Sequence, residues 1–486
     1  MSRKVAHNAL WNVAGTLASL VVGLVALPVL LHALGAARLG IFTLALGLIG
    51  FSGLLDLGLG RALTQTVSSA LGSGRPRAAV AALVWHVLRL LAGFGAVWIL
   101  LLWVITPPVV QHLFKLRGAL AEETIFGLRA VALSIPFALV ATGAMGALEG
   151  LQEFRRVSTR RAILSMVQFG LPTLVALWRP DVGWVIAALA ISRALGVVIW
   201  LRLLQRTVPL ASGFRGDPAD FRHLLRFGGW LSVSNVVGPL MVYADRFYLA
   251  SLFPSAALAT YTVPYDALLR VTSLPMTAIG ALFPALAEAQ TRHDDSAQLL
   301  SAAMTALLAL MLPPLLLAMV FARPLLSLWL GQHFALQTMP IFQILILGVL
   351  ANSAAHIPYA FLQAHGRSDL TAKLHLAELP VFVGLLLWAV SIWGVVGAAV
   401  AWALRVALDS VLLYGAAMFL QPAQRWVLAK GLFWATLASM TLCVPLVSQQ
   451  ALLVMPVLLL VLIFCTAVLQ RLYLRWHHHT FTTSTT

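Results

Sequence analysis

Six arginines and five acids lie inside long apolar stretches of this sequence: Arg89, Arg129, Arg193, Arg246, Arg270 and Arg405, against Asp56, Asp245, Asp266, Glu378 and Asp409. Holding a charge at the centre of a bilayer costs about 2.5–3.5 kcal/mol on insertion scales, so such residues mark function or a specific partner. Guanidinium groups stay cationic at any physiological pH and meet phosphate oxygens through a planar fork of donors. Buried carboxylates can instead take up and release an ion, H+ or Na+, as a transported solute moves. Asp266 and Arg270 are four apart, as are Arg405 and Asp409, so each pair can neutralise itself on one helix face. Arg89, Arg129 and Arg193 have no acid within a helical turn.

Each group admits two readings. The arginines, with Arg270 and Arg405 as weaker members, could line a cationic cavity for a phosphate-bearing substrate. Alternatively Arg129 snorkels to an interface while Arg89 and Arg193 satisfy packing hydrogen bonds. Asp56, Asp245, Asp266 and Asp409 are candidates for a coupling-ion site; Asp56, close to the end of its span, could equally pair with Arg61. His86, His356 and His375 lack metal-ligand spacing and read as polar packing residues. No metal and no organic cofactor is called for.

The elements that must position these residues are membrane helices. Of 486 residues 61% are hydrophobic and only 10% charged, far from the roughly 25% charged of soluble domains. The apolar residues form blocks near the length a helix needs to cross about 30 Å of hydrocarbon. They lack the alternation of a membrane β-barrel. We expect about fourteen spans, at 8–31, 39–62, 78–105, 124–148, 162–178, 183–204, 228–252, 261–286, 298–322, 339–362, 373–390, 396–420, 428–447 and 451–472. Cys443 and Cys465 both fall within spans, so no disulfide framework is expected. The basic start, Arg3-Lys4, precedes an apolar block too long for a cleaved signal and reads as a retained first helix.

The net charge of +16 reflects topology rather than nucleic acid. With fourteen spans, one set of loops holds 21 Lys and Arg and the other holds 5, Arg38, Lys115, Arg117, Arg179 and Arg323. The basic side is cytoplasmic, which places both termini there. No loop is long enough for an extramembrane catalytic domain; the longest on the opposite side, 106–123, carries Gln111, His112, Lys115, Arg117, Glu122 and Glu123.

A weak repeat divides the chain. Trp11 and Trp230 lie 219 apart, as do Leu39-Gly40-Ile41-Phe42 and Leu258-Ala259-Thr260-Tyr261, and Leu148-Glu149-Gly150 precedes Leu362-Gln363-Ala364 by 214. The expected organisation is an N-terminal lobe at 1–204, a cytoplasmic linker at 205–227, a C-terminal lobe at 228–420, and two further helices with a tail at 421–486. Parallel duplication of six helices is a common transporter plan, with the substrate site between repeats. Prolines at 28, 136, 172, 239, 264, 275, 284 and 358 can kink the spans.

Two stretches resemble the polysaccharide flippase branch (O-antigen, Wzx-type transporters) of the multidrug/oligosaccharidyl-lipid/polysaccharide (MOP) exporter superfamily. One runs from Leu39-Gly40-Ile41-Phe42 through Asp56-Leu57-Gly58-Leu59-Gly60-Arg61 to Gly72-Ser73-Gly74. The other holds Tyr243-Ala244-Asp245-Arg246-Phe247-Tyr248, Tyr261-Thr262-Val263-Pro264-Tyr265 and Leu282-Phe283-Pro284-Ala285-Leu286. The resemblance implies two pseudo-symmetric six-helix lobes around a central cavity and alternating access in a bacterial inner membrane. It implies an undecaprenyl-diphosphate-linked oligosaccharide as substrate, flipped from cytoplasm to periplasm. Membrane lipids and other polysaccharide assembly proteins are the expected partners. A peptidoglycan-precursor (lipid II) flippase is the nearer rival. A drug/cation antiporter of the same superfamily would usually have twelve helices and an acid-rich cavity.

Overall fold

A computed structural model describes residues 3–50, 59–208, 240–272 and 297–447, with side chains from residue 20 onward. Every regular element among these residues is helical. The chain forms two compact units, Met1–Val263 and Pro264–Thr486.

The first unit contains α1 (Arg3–Gly50), α2 (Leu59–Gly72), α3 (Arg77–Pro108), α4 (Gly118–Gly150), α5 (Phe154–Trp178), α6 (Val182–Thr207) and helical residues 240–252; α7 (Ser255–Val271) begins in it. The second contains α8 (Ala297–Val320), α9 (Ala322–Leu330), α10 (Gln332–Ala364), α11 (Ser368–Trp393), α12 (Val395–Leu420) and α13 (Arg425–Val447). Among the described residues ten helical segments are long and apolar enough to cross a membrane. The first, Leu20–Gly50, covers parts of two expected spans and is broken at Gly35, whose φ of 76° lies outside the helical region. Residues 51–58, most of 205–239, 273–296 and 451–472 lie outside the description, and with them Asp56, Cys465 and most of the expected linker.

Large apolar side chains are exposed along these helices, among them Val97, Leu100 and Val104 on α3 and Leu174 and Trp178 on α5. Water would not tolerate so much exposed apolar surface, whereas lipid is a matching solvent. Hydroxyl side chains satisfy themselves internally: Thr106 donates to the Leu102 carbonyl at 2.6 Å and Thr173 to that of Phe169 at 2.7 Å.

The helices outrun the spans that hydropathy delimits. α3 reaches Pro108 and continues as a π-turn over Val109–Leu113, so the expected long loop at 106–123 shrinks to a few residues. α5 starts at Phe154 rather than 162, which puts Arg156, Arg160 and Arg161 on helix instead of in a loop. Hydropathy reports where the lipid ends, and backbone hydrogen bonding does not stop there.

α4 is the hub of the first unit, packing on α2, α3 and α6 through a core that includes Leu63, Val67, Leu88, Leu91, Leu139, Ala144, Leu148 and Leu204. At one end of this unit Arg38 of α1 grips Glu123 of α4, with Nε on Oε2 at 2.7 Å and Nη2 on Oε1 at 2.6 Å. The backbone N–H of Val182 also donates to Glu123, at 3.1 Å, so one carboxylate joins three helices. Burial costs Glu123 little here, because the Arg38 fork stabilises the anion. Glu123→Gln removes that charge and is expected to lower stability by about 1 kcal/mol, the pair being partly exposed. The check is the melting temperature of the purified protein against Glu122→Gln as control; an unchanged melt means the clamp contributes nothing.

The repeat is sharper in three dimensions than in sequence. α10 begins and ends 214 residues after α4, α11 begins 214 after α5, and α12 begins and ends 213 after α6. α4 packs most extensively on α6, and α10 likewise on α12. Within the first unit the repeated elements even touch: the hydroxyls of Thr43 and Thr262, 219 apart, hydrogen-bond at 2.7 Å.

Candidate functional site

The arginines expected to face a cavity separate into distinct environments. Arg193, on α6, lines a partly open space of about 270 Å³ between α4, α5 and α6. Polar groups from all three helices line it: Thr142 from α4, Arg161, Ser165 and Gln168 from α5, and Ser192 and Arg193 from α6. Met145, Leu164 and Trp200 supply apolar walls. The Arg193 guanidinium donates to the Ile49 carbonyl of α1 at 3.3 Å, which holds its long side chain in place. Arg161 is tethered differently, through Nη2 to the Glu149 carboxylate and to the Met145 sulfur at 3.2 Å. Two guanidinium groups from neighbouring helices thus border one cavity, with hydroxyl and amide groups between them. Such a surface suits an anion with several acceptor oxygens.

Sequence reasoning placed Arg161 in a cytoplasmic loop and so missed it. The available signal was its distance of one helical turn from Ser165 and two from Gln168, a polar stripe leading into the span.

The other candidates lie elsewhere. Arg89 is exposed on α3, with Nε on the Trp85 carbonyl at 3.3 Å, and is not among the cavity's lining residues. Arg129 stacks over the Trp103 ring at 4.9 Å, in a separate depression of about 360 Å³ that also holds Glu122 and Phe126. Asp266 and Arg270 are half-buried on α7, Arg270 in its last turn, where a helix terminus favours a cation. Arg405 lies over the Phe382 ring at 5.7 Å.

Asp245 and Arg246 are both fully buried. Tyr261 donates its hydroxyl to the Asp245 carboxylate, which also accepts the Arg246 backbone N–H at 2.7 Å, while the Arg246 guanidinium stacks on Tyr243 at 5.1 Å. Tyr261 and Tyr243 therefore solvate the charges of the Tyr-Ala-Asp-Arg stretch. Asp409 is buried on α12 beside Glu378 and His375 of α11. Neither Glu378 nor His375 had been singled out as a candidate; their spacing of three on one helix was the legible signal.

Proline-interrupted helices in a repeated three-helix set give the chain a fold shared with solved transporters of the MOP superfamily. The lipid II flippase MurJ in an inward closed conformation superposes with a TM-score of 0.72 at 13% identity, over 96% of this chain and 100% of that one. An inward-facing multidrug resistance MATE family transporter of the MOP superfamily gives 0.68 at 14% identity, over 89% and 98%. Residues 5–290 match the polysaccharide biosynthesis protein family, and the chain belongs to that family. A Shigella flexneri protein named an O-antigen transporter is 27% identical over 406 residues, which is 84% of this chain and 96% of that protein.

Proposed function

We propose that this protein flips an undecaprenyl-diphosphate-linked oligosaccharide from the cytoplasmic to the periplasmic leaflet of a bacterial inner membrane, by alternating access, for surface polysaccharide export. The observation that carries the reading is the pairing of Arg161 and Arg193 on one cavity of the first unit. A lipid diphosphate crossing the bilayer must exchange part of its hydration for fixed donors, and guanidinium groups provide them without losing charge. Thr142, Ser165, Gln168 and Ser192 add neutral donors and acceptors of the kind sugar hydroxyls use. Family membership and the likeness to a protein named an O-antigen transporter support a sugar cargo. The distribution of basic loops supports cytoplasmic termini.

The test is leaflet exchange in proteoliposomes. A fluorescent undecaprenyl-diphosphate oligosaccharide in the inner leaflet becomes accessible to an impermeant quencher when it flips. We expect the protein to accelerate its appearance, with excess unlabelled lipid II competing poorly. No acceleration would overturn the transport reading, and equal competition by lipid II would turn it toward the peptidoglycan precursor.

A further inference from the structure

The three-helix set of the second unit carries the same positions as the arginine-lined cavity of the first, with different chemistry. By the offsets of 214 and 213 residues, Thr142, Arg161, Leu164, Ser192 and Gly196 correspond to His356, His375, Glu378, Arg405 and Asp409. All five of the first set line the cavity. In the second unit the five equivalents form one cluster of titratable groups. Glu378 is 2% exposed and Asp409 5%, and they are near neighbours on the packed helices α11 and α12. Neither oxygen of Glu378, nor Oδ1 of Asp409, accepts a hydrogen bond. His375 places Nε2 at 3.4 Å from Asp409 Oδ1, and the Tyr359 ring of α10 stacks on its imidazole at 6.3 Å. His356 of α10 has its Nδ1 at 2.6 Å from the Asn352 carbonyl oxygen, and Arg405 lies one turn before Asp409 on α12.

Two carboxylates cannot both stay ionised in contact at such burial without a counter-ion between them. A carboxyl oxygen with no donor is an incomplete site, and a proton bridging the pair completes it. A hard metal cation needs a shell of several oxygen ligands. Beyond the two carboxyls this cluster presents a guanidinium, which repels a cation, and imidazoles, which offer nitrogen rather than the oxygen a hard cation needs. We propose that Glu378 and Asp409 share one exchangeable proton, and that this pair is the proton-coupling site of the transporter, built at the place where the first unit builds its substrate cavity. The coupling half of the proposal rests on the transport reading; the proton site does not.

The arrangement gives each half of the duplicated fold a separate task. Protonation leaves a single negative charge on the pair, which His375 and Arg405 are placed to balance. Loss of the proton leaves two, and their repulsion across the seam loosens the packing of α11 on α12. A change in α11–α12 packing is the motion that a rocking unit requires.

The experiment is infrared difference spectroscopy of the full chain in lipid nanodiscs, titrated in sodium-free buffer. Wild type is expected to show one protonated-carboxyl band that titrates with pH. Glu378→Gln and Asp409→Asn, each isosteric, are each expected to lose it while keeping wild-type helicity. A band that survives in both variants, or is missing from wild type, overturns the shared proton. A band abolished by sodium at fixed pH assigns the site to a cation instead and also overturns it. In proteoliposomes an imposed pH gradient should accelerate flipping by wild type and not by Glu378→Gln; a wild type indifferent to the gradient overturns the coupling role. A chain that moves no lipid-linked sugar at all sinks the transport reading, while the infrared band still decides the proton site.

Discussion

Arg193→Ala is expected to lower export of the proposed lipid-linked sugar about 10- to 100-fold, the equivalent of the roughly 1.5–3 kcal/mol carried by a hydrogen bond to a charged group. The residue is fixed by the Ile49 carbonyl and faces a cavity bordered by a second guanidinium, so its loss removes charge where the diphosphate would be held. Arg193→Lys restores part of the rate, because the charge survives while the planar fork does not. Arg161→Ala has a smaller effect, since its side chain is 52% exposed and already engaged by Glu149. Arg89→Ala, outside this cavity, lowers export less than Arg193→Ala. The measurement is quencher accessibility in proteoliposomes, normalised to protein of wild-type helicity. Unchanged rates in both Arg193→Ala and Arg161→Ala would remove the cationic cavity from the mechanism and leave family membership alone behind the function.

Gly146→Leu is expected to cost about 3 kcal/mol, the upper part of the usual range for overpacking, and to remove most of the folded protein. Gly146 lies on α4 where α2 crosses it. A Cβ there would come to 2.3 Å from the Gly60 carbonyl oxygen and 3.0 Å from the Thr64 hydroxyl oxygen. The first obstacle is backbone, so α2 as a whole must move away. Helices in lipid have little hydrophobic drive to associate, so close backbone approach at small residues carries much of their packing. Gly93, which meets nothing within 4 Å, is the control: Gly93→Leu on α3 should leave the yield near wild type. Fluorescence-detected size-exclusion chromatography checks both, and a monodisperse peak of normal size for Gly146→Leu would show that α2 gives way freely.

These two expectations draw on different kinds of information. Arg193 stood out in the sequence as a guanidinium with no acid within a turn inside a span. That it lines one cavity with Arg161 was not legible, because the pair is separated by 32 positions and hydropathy had assigned Arg161 to a loop. Arg89 shows the reverse failure. Its isolation in sequence matched that of Arg193, yet it is exposed on α3 and does not line the α4–α5–α6 cavity. Depth along a helix follows from residue number at 1.5 Å per residue; facing depends on which neighbours the helix packs against.

The sequence alone determined the solvent, the all-helical architecture and the duplication, because each is a one-dimensional property. Lipid demands long apolar runs with internally satisfied backbones, basic loops record orientation, and a duplicated gene leaves constant offsets. The tertiary structure alone decided which charges meet. Asp409 had been read both as the partner of Arg405 on its own helix and as a coupling candidate, while Glu378 drew no role. Packing of α11 on α12 instead brings the two carboxyls together, with His375 at 3.4 Å. Pairing along one helix is set by spacing, whereas pairing between helices is set by crossing angle and by the small residues that let backbones approach. Those are properties of two surfaces at once, and no single span contains them.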